Sequence, residues 1–103
     1  MNEKFTQTMQ EAFGRAASSA MALGQQVIDV EHLLYALLED SSGIFYRVLS
    51  KLGIRVNDVR DYLNASINKK PNVGQVNEND LRMSYDLNQL IGNANTIMTQ
   101  YKD

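Results

Sequence analysis

Apolar residues recur along this chain at three- and four-residue steps, and no segment shows the strict alternation of a half-buried strand, which predicts an all-α protein. In the first predicted helix Thr6 stands as the N-cap, and Met9, Phe13, Ala16, Ala17 and Ala20 make its apolar side. Its contact face is small, with Ala12, Ala16 and Ala20 in one row, so another helix is expected to approach it closely. Leu23-Gly24 closes it, the glycine supplying the positive φ of a C-terminal cap. Asp29 caps a second helix with one continuous stripe of Val30, Leu33, Leu34, Leu37 and Leu38. At about 1.5–3 kcal/mol per fully buried large aliphatic side chain, that stripe is expected to be the main contributor to the core.

The S-S-G at 41–43 interrupts the pattern, and a third helix carries Ile44, Phe45, Val48, Leu49 and Leu52 before Gly53. Asn57 is placed as the cap of a fourth, with Val59, Leu63 and Ile67 on its apolar side. Pro71 marks the end of that helix, because proline disfavours α geometry in the residue before it. The following P-N-V-G-Q-V-N-E-N-D is polar, acidic and aperiodic, and reads as a loop. Ser84 caps a fifth helix bearing Leu87, Leu90, Ile91, Ala94, Ile97, Met98 and Tyr101. The expectation is a compact bundle of about five helices.

The chain also repeats itself. T-Q-T-M-Q-E-A-F-G-R-A at 6–16 aligns with S-Y-D-L-N-Q-L-I-G-N-A at 84–94. Thr6 matches Ser84, Met9 matches Leu87, Phe13 matches Ile91, Gly14 matches Gly92 and Ala16 matches Ala94. Internal repetition decides architecture. It predicts a pseudo-duplicated domain whose first repeat spans 1–70, whose linker spans 71–83, and whose second repeat starts at 84 and is truncated at 103.

Composition narrows the functional classes. The 103 residues allow one domain with a small core. A net charge of −2 and scattered Lys and Arg give no footprint for nucleic acid and no basic patch for an anionic membrane. Cysteine is absent, which removes disulfides, thiolate metal sites and thiol nucleophiles, and suits a cytoplasmic location. M-N-E-K-F-T-Q-T lacks the apolar core of a signal peptide, and no apolar run approaches the roughly 20 residues that span a bilayer.

Candidate chemistry is sparse. Asp29, Glu31 and His32 are potential metal or acid–base groups, but the structural reading outweighs that one. Asp29 caps the helix, Glu31 suits its positive end, and His32 sits beside the leucine stripe where it packs or bonds to backbone. No second histidine completes a zinc site, and neither a G-x-S-x-G elbow nor a glycine-rich phosphate cradle occurs, so no catalytic residue, metal or cofactor is assigned. Two features suit binding. Phe45-Tyr46, with Tyr35 and Tyr62, offers an aromatic anchor if one ring is exposed, against the simpler reading of Phe45 in the core and Tyr46 half-buried. The fifth helix has a wide apolar side, and truncation of the second repeat predicts exposure of Ile97, Met98 or Tyr101.

The combination K-F-T at 4–6, A-F at 12–13, A-L-G at 22–24, I-D-V-E-H-L-L-Y-A-L-L at 28–38 and the second copy ending Y-K-D resembles the N-terminal domain of the Clp/Hsp100 AAA+ unfoldases. P-N-V-G followed by S-Y-D-L is most similar to the ClpB disaggregase branch of that family. The resemblance implies a module tethered to a homohexameric ATPase ring, with ATP and Mg bound by the parent and not by this chain. It implies engagement of unfolded or aggregated polypeptide in a stress-response chaperone. Thr6 and Asp103 match family positions tied to substrate handling, although Thr6 is equally explained as a helix cap. Ile97 matches a position of the family's hydrophobic groove, Asn93 falls where a leucine occurs, and Leu90 and Ile91 either line the groove floor or pack in the core. The alternatives are a ClpC- or ClpA-type domain docking adaptor proteins for a protease, and a stand-alone helical regulator of the same fold.

Overall fold

The structure is a computed structural model that describes residues 3–100 of the chain, and the side chains of residues 7–94 and 96. Five helices appear: α1 (Glu3–Ala22), α2 (Val30–Leu38), α3 (Ile44–Lys51), α4 (Val56–Asn68) and α5 (Tyr85–Gln100). Two short strands, β1 (Val27–Ile28) and β2 (Arg82–Met83), pair in parallel, Val27 opposite Arg82 and Ile28 opposite Met83.

The alanine row explains the central packing. Ala12, Ala16 and Ala20 are wholly buried, and α1 and α2 share the most extensive helix contact. Methyl groups along that row let α2 pack closely on it, and the Arg15 side chain reaches across to donate to the Ala36 carbonyl at 3.1 Å. Helix α2 joins two cores. Leu33 and Ala36 belong to one with the alanine row, Ile28 and Leu87, while Leu38 belongs to the other with Val56 and Leu63.

Gly24 closes α1 as the sequence predicts, at φ +69°, with Gln25 N–H donating back to Ala20 O at 2.8 Å. A Cβ there would overlap Asn72 Oδ1 and lie 2.5 Å from Gly74 O, so the position needs glycine for space as well as for conformation. Gly53 ends α3 the same way, at φ +76°.

Three expectations need correction. Helix α1 begins at Glu3, which puts Thr6 inside its first turns and not at the cap; Glu3-Lys4-Phe5 contains no breaker, and the helix continues through it. Helix α4 begins at Val56, whose burial in the second core fixes the start upstream of Asn57, and Arg55 flanks it without a side-chain cap. The stretch read as a featureless loop buries Val76, makes one 3₁₀ turn at Glu78–Asp80, and then supplies β2. Helix α3 buries only one side. Phe45, Tyr46 and Leu49 pack on the second core, whereas Ile44, Val48 and Leu52 stay exposed. Apolar residues occupy more than half its circumference, and α2 and α4 meet one flank. Phe45 and Tyr46 are both half-buried, as the simpler reading had it for Tyr46, with Phe45 packing on the second core from its edge; Tyr62 is exposed and Tyr35 lies 5.8 Å from the Arg60 guanidinium.

Candidate functional site

The polar residues gather where α2 begins. Asp29 is extended at the N-cap, and its Oδ1 accepts from Val30 N–H at 2.8 Å. His32 completes a reciprocal capping box: its Nδ1 accepts the Asp29 N–H at 2.9 Å, the role usually filled by glutamate or glutamine. An Nδ1 that accepts carries no proton, so the neutral ring holds its hydrogen on Nε2 and donates it to Gln25 Oε1 at 2.6 Å. Gln25 passes the chain on, its Nε2 donating to Ile67 O at 2.8 Å. Three segments are thus stitched by side chains that are themselves buried: the α1–β1 connection, the start of α2, and α4.

Asp29 is a second hub. Its Oδ1 also accepts from Ser84 Oγ at 2.8 Å, and its Oδ2 meets Lys70 Nζ at 2.9 Å. Ser84 in turn accepts Leu87 N–H at 3.0 Å and so caps α5 as the sequence predicts. Glu31 accepts from Ser66 Oγ at 2.9 Å and lies 3.4 Å from Lys70. One lysine therefore bridges both carboxylates, and the two helix caps predicted separately are bonded to each other.

The ionisation of the cluster follows. Burial works against the Asp29 charge, but Lys70, Ser84 and the Val30 N–H together outweigh it and lower the pKa. Burial also opposes the Lys70 charge, yet Asp29 and Glu31 prevail and raise the pKa. For His32, burial and the Lys70 charge push the pKa down and outweigh the pull of Asp29 and Glu31. Every oxygen and nitrogen named already has a protein partner, so Asp29, Glu31 and His32 serve the fold as the structural reading predicted. Beside them a shallow pocket of about 340 Å³ opens between Gln26, Val27, Lys70, Val73 and Arg82.

The predicted binding residues lie elsewhere. On α5, Leu87 is wholly buried, Ile91 and Ala94 are half-buried, and Ile91 packs on the first core. Leu90, three residues after Leu87, is 41% exposed at the edge of the same apolar side, and Asn93 is exposed farther round the helix. Thr6 lies within α1 and Ile97 within α5, but their side chains fall outside the described residues, as do Met98, Tyr101 and Asp103. Met9 and Phe13, the repeat counterparts of Leu87 and Ile91, pack on the same core as they do. Among the described residues no helix is long and apolar enough to cross a membrane. Sequence reasoning missed Gln25, Ser66 and Lys70, three ordinary polar residues brought to Asp29 and His32 only by the fold.

A close-packed alanine helix, a leucine helix capped by an Asp-x-x-His box, and a fifth helix tied to that cap define a helical module whose polar cluster is structural. The chain belongs to the Clp repeat (R) N-terminal domain family, whose model matches residues 4–103. It is 32% identical over 100 residues, 97% of its length, to chaperone protein ClpB 2 of Synechocystis sp., and covers 11% of that protein. It is 31% identical over 101 residues to chaperone protein ClpB of Pseudomonas putida, covering 98% of this chain and 12% of that one. To the ClpB of Bacillus cereus it is 36% identical over 73 residues, 71% of this chain and 8% of the relative. The chain thus spans about a tenth of the length of the curated relatives it matches.

Proposed function

We propose that this chain is the substrate-engaging N-terminal domain of a ClpB-type disaggregation chaperone acting in the cytoplasm. In this reading it holds unfolded or aggregated polypeptide through the outer flank of α5 and helps deliver it to a homohexameric ATPase ring that binds ATP and Mg. The observation that carries the reading is Leu90, 41% exposed at the solvent edge of the apolar side through which Leu87 and Ile91 pack on the core. Half-buried Ile91 and Ala94 continue its apolar surface, and exposed Asp86 and Asn93 border it. Such a strip suits extended chains without strict sequence preference, because apolar contact demands no particular side chain of its partner. Six tethered copies on a ring raise the effective concentration, so weak single-site binding suffices.

An amide NMR titration of the 103-residue chain with a casein-like unfolded polypeptide tests this. Shifts are expected at Leu90, Ile91, Asn93 and Ile97, reaching Thr6 and Asp103. Well-dispersed peaks that do not move on addition of the polypeptide would overturn it. Shifts produced by a folded adaptor protein and not by the unfolded chain would assign the module to protease adaptor docking instead.

A further inference from the structure

A continuous apolar row lies uncovered on α3. Ile44, Val48 and Leu52 follow one another at four-residue steps and are 61%, 46% and 68% exposed. Residues at that spacing stack one turn above the next, so the three form a single strip, and exposed Ile54 follows just past the Gly53 turn. The helix does not need this strip for its own packing, because Phe45, Tyr46 and Leu49 anchor the other side.

A second row runs alongside. Arg47 and Lys51 stand three residues after Ile44 and Val48, and Arg55 follows in the connection to α4. From Ile44 to Arg55 there are three cations and no carboxylate, in a chain whose net charge is −2. Among the described residues the ion pairs are those of Lys70, and none involves Arg47, Lys51 or Arg55. Asp40, the nearest acid upstream, is held by the Ser42 hydroxyl and backbone N–H.

The charges choose among occupants. A second copy in a two-fold contact would bring the same patch against itself and set Arg47 and Lys51 against their own counterparts. A neutral apolar segment would cover the strip but leave the cation row unmatched. A segment with apolar residues at helical spacing and carboxylates beside them satisfies both rows. We infer that the outer face of α3 is a docking surface for an acidic amphipathic helix of a partner protein, separate from the α5 flank. This surface does not depend on what α5 binds.

The test uses two synthetic helical peptides with the same leucine pattern, one with glutamates beside the leucines and one with lysines. The glutamate peptide is expected to bind the 103-residue chain at least about tenfold more tightly than the lysine peptide, and to weaken as salt rises. Amide shifts are expected along Ile44–Ile54, and the joint variant Arg47→Glu with Lys51→Glu is expected to reverse the peptide preference. These positions are exposed, so an unchanged thermal midpoint separates a lost surface from a lost fold. Leu90→Asp should leave this binding intact, which keeps its outcome apart from that of the α5 reading. Equal affinity for both peptides, shifts centred on α5, or a concentration-dependent dimer abolished by Val48→Ser would each overturn the inference.

Discussion

Replacing His32 by alanine breaks the buried relay at its middle. His32 is 2% exposed, accepts the Asp29 N–H and donates to Gln25 Oε1, and Gln25 in turn holds the Ile67 carbonyl. Alanine strands two buried polar atoms, at about 1–3 kcal/mol each, and leaves a cavity the size of the ring. The expected loss is about 3–6 kcal/mol, a large share of the roughly 5–15 kcal/mol that holds a domain together. His32→Gln keeps an acceptor for the Asp29 N–H and should cost less, about 1–2 kcal/mol. The histidine also makes stability depend on pH. Its pKa is lowered, chiefly by burial and then by Lys70, so the folded state binds fewer protons than the unfolded one. The contribution is complete above the unfolded value of about 6.5 and is lost as pH falls through the folded pKa, at no more than about 1.4 kcal/mol per pH unit. Urea unfolding followed by far-UV circular dichroism at about pH 7.5 and about pH 5.5 reads both effects. The wild-type chain should lose stability on acidification, and His32→Gln should lose less. A His32→Ala cost under about 1 kcal/mol, or equal acid losses in wild type and His32→Gln, would refute the relay.

Three further outcomes follow from the packing. Gly24→Ala forces a side chain into the +69° conformation and against Asn72 and Gly74, and should cost more than the roughly 1 kcal/mol of conformation alone, read as a lower thermal midpoint. Ala16→Leu inserts three carbons between α1 and α2 where nothing is exposed, and should destabilise by about 1–3 kcal/mol or more in urea unfolding. Ser84→Ala removes the α5 cap together with the bond to Asp29; a loss of about 1–2 kcal/mol is expected, with faster amide exchange at Leu87 and Asn88.

Much of this architecture was legible because local rules and packing agree. The alanine row, the leucine stripe, the Gly24 and Gly53 closures and the Asp29 and Ser84 caps each follow from residue type and spacing, and each appears in the structure. What was not legible depends on residues far apart in sequence. The bond between Ser84 and Asp29, the Lys70 bridge and the Gln25–His32–Ile67 relay join positions that periodicity cannot relate. The β1–β2 pair was hidden for a related reason, since two residues on each side are too few to show alternation. Thr6 misled because a good capping residue is also tolerated inside a helix when the residues before it continue the spiral. For the candidate site, the sequence identified α5 as the carrier and left Leu90 open between groove and core; only its exposure resolves that residue as a surface group.

The function proposed for this domain requires that the α5 flank hold unfolded polypeptide. The most direct measurement is fluorescence anisotropy of a labelled, permanently unfolded polypeptide titrated with the wild-type chain and with Leu90→Asp. Leu90 is already 41% exposed, so the substitution should leave the thermal midpoint nearly unchanged and weaken binding by about tenfold or more. Equal affinities for the two proteins, or no binding by the wild-type chain, would contradict the account.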